Sequence, residues 1–330
     1  MIRKTLDQKM TPAKFMADWG VVAAIAIAIV IFSIAAPRVF LSTANFINIL
    51  RSISITTIIA LGATFAFSAG LFDLSFASVA TLGAMFSVTF MAWFGIPLVP
   101  ALLLTIIVCM GVGVLNSFIV IKLRIPVFLA TLALKFVLDG LAIAYSGGSI
   151  INPMITGPRG QEIVMQIPDA FRTLGRAPTI IIIMFACVII ADIFQSRTKH
   201  GRFLYVIGSN PEAGRLAGLR VNRYRVLAFM LTAAFAAVGG ILIASRAGTV
   251  MAGAGSAFLM PSIAALNIGA ALAGKKKPNA WGTFVGAALI GVIQNGLFAV
   301  AFPWFAIDIV NGLILLAALA MSHYSTKEHT

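Results

Sequence analysis

Long apolar runs, each closed by a short polar or Gly/Pro-marked break, recur along this chain. Most are about 17 residues or longer, enough for a helix to cross the hydrocarbon core of a bilayer. The runs are Trp19–Ala36, Ile53–Ala69, Leu74–Phe94, Ile96–Ile121, Pro126–Tyr145, Ala177–Phe194, Val226–Ser245, Phe258–Ala273, Trp281–Ala301 and Phe305–Met321. They predict an all-α fold, a polytopic transmembrane helical bundle of about ten spans, forming one domain over residues 1–330. The strict alternation of a membrane β-barrel is absent. Pro37 suits no cleavage site, so the first run reads as a retained span rather than a signal peptide.

Composition agrees with the pattern. The 330 residues are 60% hydrophobic and 10% charged, with a mean hydropathy of +1.03, whereas soluble domains carry about 25% charged residues. The net charge of +14 would suggest nucleic acid in a soluble protein. Here the basic residues sit in short loops, the positive-inside signature, so membrane lipid is the expected partner and nucleic acid is not. With the N-terminus inside, the cytoplasmic segments hold the basic start of the chain, Lys122, Arg124, the arginines and lysine of the central loop, Lys275 to Lys277 and Lys327. Only Arg38, Arg51, Arg159, Arg172, Arg176 and Arg246 fall outside. Both termini are therefore expected in the cytoplasm. Cys109 and Cys187 lie within apolar runs and read as core residues.

The longest basic interruption, Phe194 to Arg225, contains a short helix with its own punctuation. Asn210 can cap its start, Pro211 suits the first helical position, and Gly218 can take the left-handed conformation past its end. A helix over Pro211–Ala217 is too short to persist alone in water, so a partner protein is its natural support. The other long connection, residues 146–176, is an outer loop long enough to dock a protein, or a plain connector. A faint repeat pairs Ile53–Ala69 with Phe258–Ala273, both short and both ending in Ala-Gly. Paired short spans point to a translocation path.

Polar residues inside the apolar runs are the candidates for solute contact. Asp73 either caps the third span or borders a water-accessible path. Lys135 and Asp139 stand four apart and can pair on one helix face. Asp308 and Asn311 share a face of the last span. Asn116, Asn267, Gln294 and Asn295 suit bonds across helices or to a solute. The expected path lining is Phe67, Phe72, Asp73 and Asn267. Gly269 to Lys276 approaches a phosphate-binding loop, but Lys276 replaces the hydroxyl residue and no strand precedes it. No catalytic set, metal-ligand spacing or cofactor motif is present, so neither enzymatic activity nor a cofactor is expected.

The central loop reads Gly208-Ser-Asn-Pro-Glu-Ala-Gly-Arg-Leu-Ala-Gly218. Its Glu-Ala-Gly, followed by three residues and then Gly218, resembles the EAA-type loop of ABC importer permeases. The run from Gly201-Arg202 to Gly218, the stretch Asn45 to Arg51 and the Ala-Gly-x-x-Asp-Leu-Ser turn at Asp73 are similar to the permeases of the ribose/xylose/galactose class. The turn is one residue longer and bulkier than the family's Gly-Gly-Ile-Asp-Leu-Ser, and Gly274-Lys-Lys-Lys-Pro278 replaces a Gly-rich turn. The resemblance implies a bacterial inner-membrane permease for a sugar-like solute. It implies an ABC ATPase subunit as partner, a periplasmic solute-binding protein and a second permease subunit, in a homo- or heterodimer. It also implies that Asn210, Pro211, Glu212, Ala213, Arg215 and Gly218, in the cytoplasmic loop 195–225, couple to the ATPase. Two rivals stand beside it: a proton-coupled carrier using Asp73, Asp139 or Asp308, and a membrane scaffold.

Overall fold

A computed structural model describes residues 12–151, 154–156, 162–164, 167–271, 277–303, 309–313 and 316. Within these residues the α-helices are α1 (Pro12–Ala35), α2 (Pro37–Phe40), α3 (Thr43–Ser68), α4 (Phe76–Ala92), α5 (Leu98–Lys122), α6 (Val127–Ser146), α7 (Asp169–Leu174), α8 (Thr179–Asp192), α9 (Lys199–Ser209), α10 (Pro211–Leu216), α11 (Val221–Ala247), α12 (Leu259–Ala271) and α13 (Ala280–Ala299). Proline punctuates the starts. The helices α2, α5, α6, α7, α8 and α10 each begin at or directly after one, where its missing N–H costs nothing.

Among the described residues, six helices are long and apolar enough to cross a membrane: α3, α5, α6, α8 with its π-helical continuation to Arg197, α11 and α13. Gly20–Ala35, Phe76–Ala92 and Ser256–Ala270 are shorter apolar helices. The expected tenth run lies mostly outside the described residues, though 309–313 are helical.

The bundle is built around α11, which packs most extensively on α4, α3 and α5, while α13 packs on α12 and α3. Small residues permit this. A Cβ on Gly240 would overlap the Ala80 carbonyl, and one on Gly83 would come 2.8 Å from Ala237 Cα, so α4 and α11 meet backbone to backbone. Hydroxyl groups close the seams, as small and hydroxyl residues do between helices in lipid. Thr232 donates to the Gly62 carbonyl at 2.9 Å, and the Thr64 and Thr283 hydroxyls meet at 2.8 Å. In the apolar windows, 83% of α3 is buried but only 22% of α5 and 28% of α6. The bare apolar faces of α5, α6 and α8, with Leu103, Ile107, Phe136 and Ile182, suit hydrocarbon. The Lys135 ammonium meets the Asp139 carboxylate at 2.6 Å within α6, and Ser78 of α4 donates to the other carboxylate oxygen at 2.6 Å. Pairing lowers the cost of holding both charges there.

Three expectations change. The span expected at Ile53–Ala69 is one helix of 26 residues, Thr43–Ser68, capped by the Ser42 side chain. Its polar first turns, with Asn45, Arg51 and Ser52, hid its start, and the pairing of two short spans fails with it. The central loop holds two helices, α9 and α10, rather than one. The loop 146–176 carries a two-stranded antiparallel ribbon, β1 (Met154–Thr156) with β2 (Glu162–Val164). That loop is fastened to the far end of α11: Ile151 exchanges backbone bonds with Val250, and Ser245 donates to the Phe171 carbonyl of α7.

Candidate functional site

The polar run after α8 folds because α9 is amphipathic. Gly201, Leu204 and Ile207 are buried along one face. Thr198 caps its start, accepting from Gly201 N at 3.1 Å. Gly208 lies directly on the end of α3, where an added Cβ would overlap the Ser68 carbonyl and come 2.9 Å from Gly70 N. Gly70 answers with φ +71° and its own Cα facing Gly208, so both positions need glycine. Tyr205 donates to the Pro278 carbonyl at 2.6 Å, and Gln195 Oε1 accepts from Ala280 N at 3.0 Å. The α9 helix is thereby bolted to the end of α3 and the start of α13.

The α10 helix follows without a linker. Asn210 Oδ1 accepts from the Glu212 and Ala213 amides at 3.0 Å each, and Pro211 occupies the first turn. At the other end Gly218, φ +78°, closes the turn, with Leu219 N donating to the Gly214 carbonyl at 3.0 Å. The punctuation read from the sequence is present, one residue shorter than expected. Gly214 is buried, while Glu212, Ala213, Arg215 and Leu216 project outward. Glu212 and Arg215 pair across one turn at 2.7 Å. Leu216 is 87% exposed, and sequence reading passed over it. Its signal was a lone large apolar side chain on an otherwise polar short helix.

The expected path residues divide. Phe67 and Phe72 meet with ring centroids 4.8 Å apart, and Phe72 also meets Phe128 at 5.8 Å. Asp73 is adjacent and 2% exposed. Its Oδ1 accepts from Ser75 N at 2.8 Å and Ser75 Oγ at 2.7 Å, and Asn116 Nδ2 donates on to Ser75 Oγ at 2.7 Å. This knits the start of α4 to α5. Asn267 stands apart: it belongs to α12, and its amide donates to the Ile263 carbonyl of its own helix at 2.8 Å. Gln294 donates to the buried Asn311 at 3.0 Å. Asp308 and the Gly274–Lys276 segment lie outside the described residues.

Asp73 sits in the connection between α3 and α4. Burial pushes its carboxyl from 3.8 up to about 6, partly opposed by the Ser75 hydrogen bonds. A raised carboxyl favours folding when protonated. That contribution is complete below pH 3.8 and is lost as pH rises through about 6. Wild type should therefore gain about 3 kcal/mol between pH 7 and acid pH relative to Asp73→Asn, which keeps the acceptor and cannot ionise. Thermal unfolding of the two purified proteins at several pH values checks this; parallel curves would contradict it.

The family described as branched-chain amino acid transport system / permease component matches residues 45–319. The ribose import permease protein of Bacillus subtilis is 30% identical, over 89% of each chain. The autoinducer 2 import system permease protein of Photorhabdus laumondii is 30% identical, over 94% of this chain and 92% of its own. The xylose transport system permease protein of Haemophilus influenzae is 26% identical, over 92% of this chain and 96% of its own. No solved structure matches the chain.

Proposed function

The chain belongs to the branched-chain amino acid transport system / permease component family, and on that premise we propose that it is the membrane subunit through which an ABC importer moves a sugar or sugar-like solute. It is a transport component, with ATP hydrolysis on a separate subunit. It is a multi-pass protein of the inner membrane, and it works with an ATPase and a solute-binding protein. The family description names amino acids while the relatives name ribose, autoinducer 2 and xylose at near-equal identity. Likeness alone therefore does not select a cargo. A sugar-like solute fits the named relatives.

Residues 1–330 form one domain of about ten spans with both termini in the cytoplasm. Two permease subunits flank one path. Phe67, Phe72 and Asp73 line it near α9, with Asn267 further along α12. The α10 helix, held by Asn210, Pro211 and Gly218, enters a groove of the ATPase and contacts it through Glu212, Ala213, Arg215 and Leu216. One observation carries this last part: a helix capped at both ends that exposes a leucine at 87%. A large apolar side chain bare on a polar turn is the kind of anchor that fills a partner's pocket.

A proton-coupled carrier fits less well, because Asp139 is already held by Lys135 and Ser78. The test is Leu216→Asp. Membrane insertion and thermal stability should match wild type, because the side chain touches nothing that the fold needs. Co-purification with the ATPase should fall at least about ten-fold, the loss of one buried anchor. Full ATPase association with Leu216→Asp would overturn the docking assignment.

A further inference from the structure

Gln195 lies in the π-helical turn Ile193–Arg197, which links α8 to α9. Such turns gather at functional positions. Its side chain is 4% exposed, and its Oε1 accepts from Ala280 N, in the first turn of α13, at 3.0 Å. That bond fixes which way round the amide sits, because only the oxygen can face an N–H. The Nε2 group is therefore turned elsewhere, where it is fully buried and has no acceptor among the described residues.

A buried donor without an acceptor is rare in a native fold, and its retention needs a reason. Here it sits between two tightly packed units. On one side α9 presses on the π-helical turn. A Cβ on Gly201 would overlap the Phe194 carbonyl and come 2.6 Å from Gln195 Cα, so a shift of α9 carries Gln195 with it. On the other side α12 and α13 meet backbone to backbone. A Cβ on Gly269 would overlap the Gly282 carbonyl, and one on Gly286 would overlap the Ala265 carbonyl. Asn267 belongs to this pair of helices. Tyr205 of α9 makes a parallel link, its hydroxyl donating to the Pro278 carbonyl at 2.6 Å, with the Lys277 ammonium 5.8 Å from the centre of its ring.

We propose that Gln195 is a positioning residue of the transport cycle: with Tyr205 it forms a latch through which displacement of α9 reaches the α12–α13 pair. The proposal rests on the reading of α10 as the ATPase contact. It adds a second connection to the one that Gly208 makes with the end of α3. A shift of α9 against α13 that brings an acceptor to the free N–H offsets the bond to Ala280 that it breaks, so the latch changes over without a large penalty.

The intact chain is reconstituted in proteoliposomes with its ATPase and loaded binding protein, and hydrolysis is followed against ATP concentration. Gln195→Met keeps the length of the side chain and removes both polar atoms. Co-purification of the ATPase and KM for ATP should match wild type, because the α10 surface is unchanged. The kcat with loaded binding protein should fall about ten-fold, the weight of one buried hydrogen bond in a two-state equilibrium. Tyr205→Phe should give the same split between KM and kcat, and the double variant should lose little more than either single one, because both act on one latch. Should Gln195→Met fail to insert, Tyr205→Phe alone decides. Wild-type kcat in the variants overturns the latch while the ATPase reading stands. So do losses that multiply in the double variant, or a fall in yield and co-purification with kcat unchanged in the complexes that form, since the side chain then only braces the fold. A wild type that binds no ATPase overturns both readings.

Discussion

Gly240→Leu leaves almost no folded protein to recover from the membrane. At this position an added Cβ overlaps the Ala80 carbonyl and comes 2.7 Å from Ala84 N, both main-chain atoms of α4. Backbone cannot rotate out of the way as a side chain can. The substitution would push α4 off the helix on which the whole bundle is assembled. Ordinary overpacking of a core costs about 1–3 kcal/mol, and a clash with main chain exceeds that range. Such a loss is a large part of the roughly 5–15 kcal/mol that holds a typical protein together. Size-exclusion yield after detergent extraction measures it. Gly111→Leu is the control, since nothing lies within 4 Å of a Cβ there. Similar yields for the two variants would refute the packing argument.

Gly208→Leu should separate binding from transport. The side chain would enter the space held by Ser68, Ala69 and Gly70, lifting α9 from the end of α3. The α10 surface is untouched, so the ATPase should still associate. On the proposed coupling, what is lost is the contact through which movement of α10 would reach the Phe67–Phe72–Asp73 turn. Displacing that contact by about 3 kcal/mol shifts a two-state equilibrium about a hundredfold. Uptake in proteoliposomes with the ATPase and the binding protein should fall by that order, and ATP hydrolysis should no longer respond to loaded binding protein. Normal uptake by Gly208→Leu would show that force takes another route.

Much of this was legible in the chain because lipid imposes simple rules. The apolar runs became helices where the described residues cover them, and Asn210, Pro211 and Gly218 marked the ends of α10, since capping is local chemistry. The Lys135–Asp139 pair was visible for the same reason: both partners share one helix face. What stayed hidden depends on distant contacts. The α9 helix reads as a polar loop until Leu204 and Ile207 find the end of α3. The ribbon in residues 146–176 consists of two three-residue strands, too short for alternation to register. Of the four path candidates, three gather near α9 because they are close in sequence. Asn267 rested on the pairing of two short runs, Ile53–Ala69 and Phe258–Ala273, and with α3 a 26-residue helix that pairing no longer places it.

At 27 residues α11 is a rod of roughly 40 Å. One tip adjoins α10; the other is tied to α7 and to the Ile151–Val250 bridge. Its middle is sealed on several sides, so its amides should be the slowest in the molecule to trade hydrogen for deuterium, opening only with the whole fold. An event felt at one mouth of the protein therefore has an unbroken, non-melting shaft to the other.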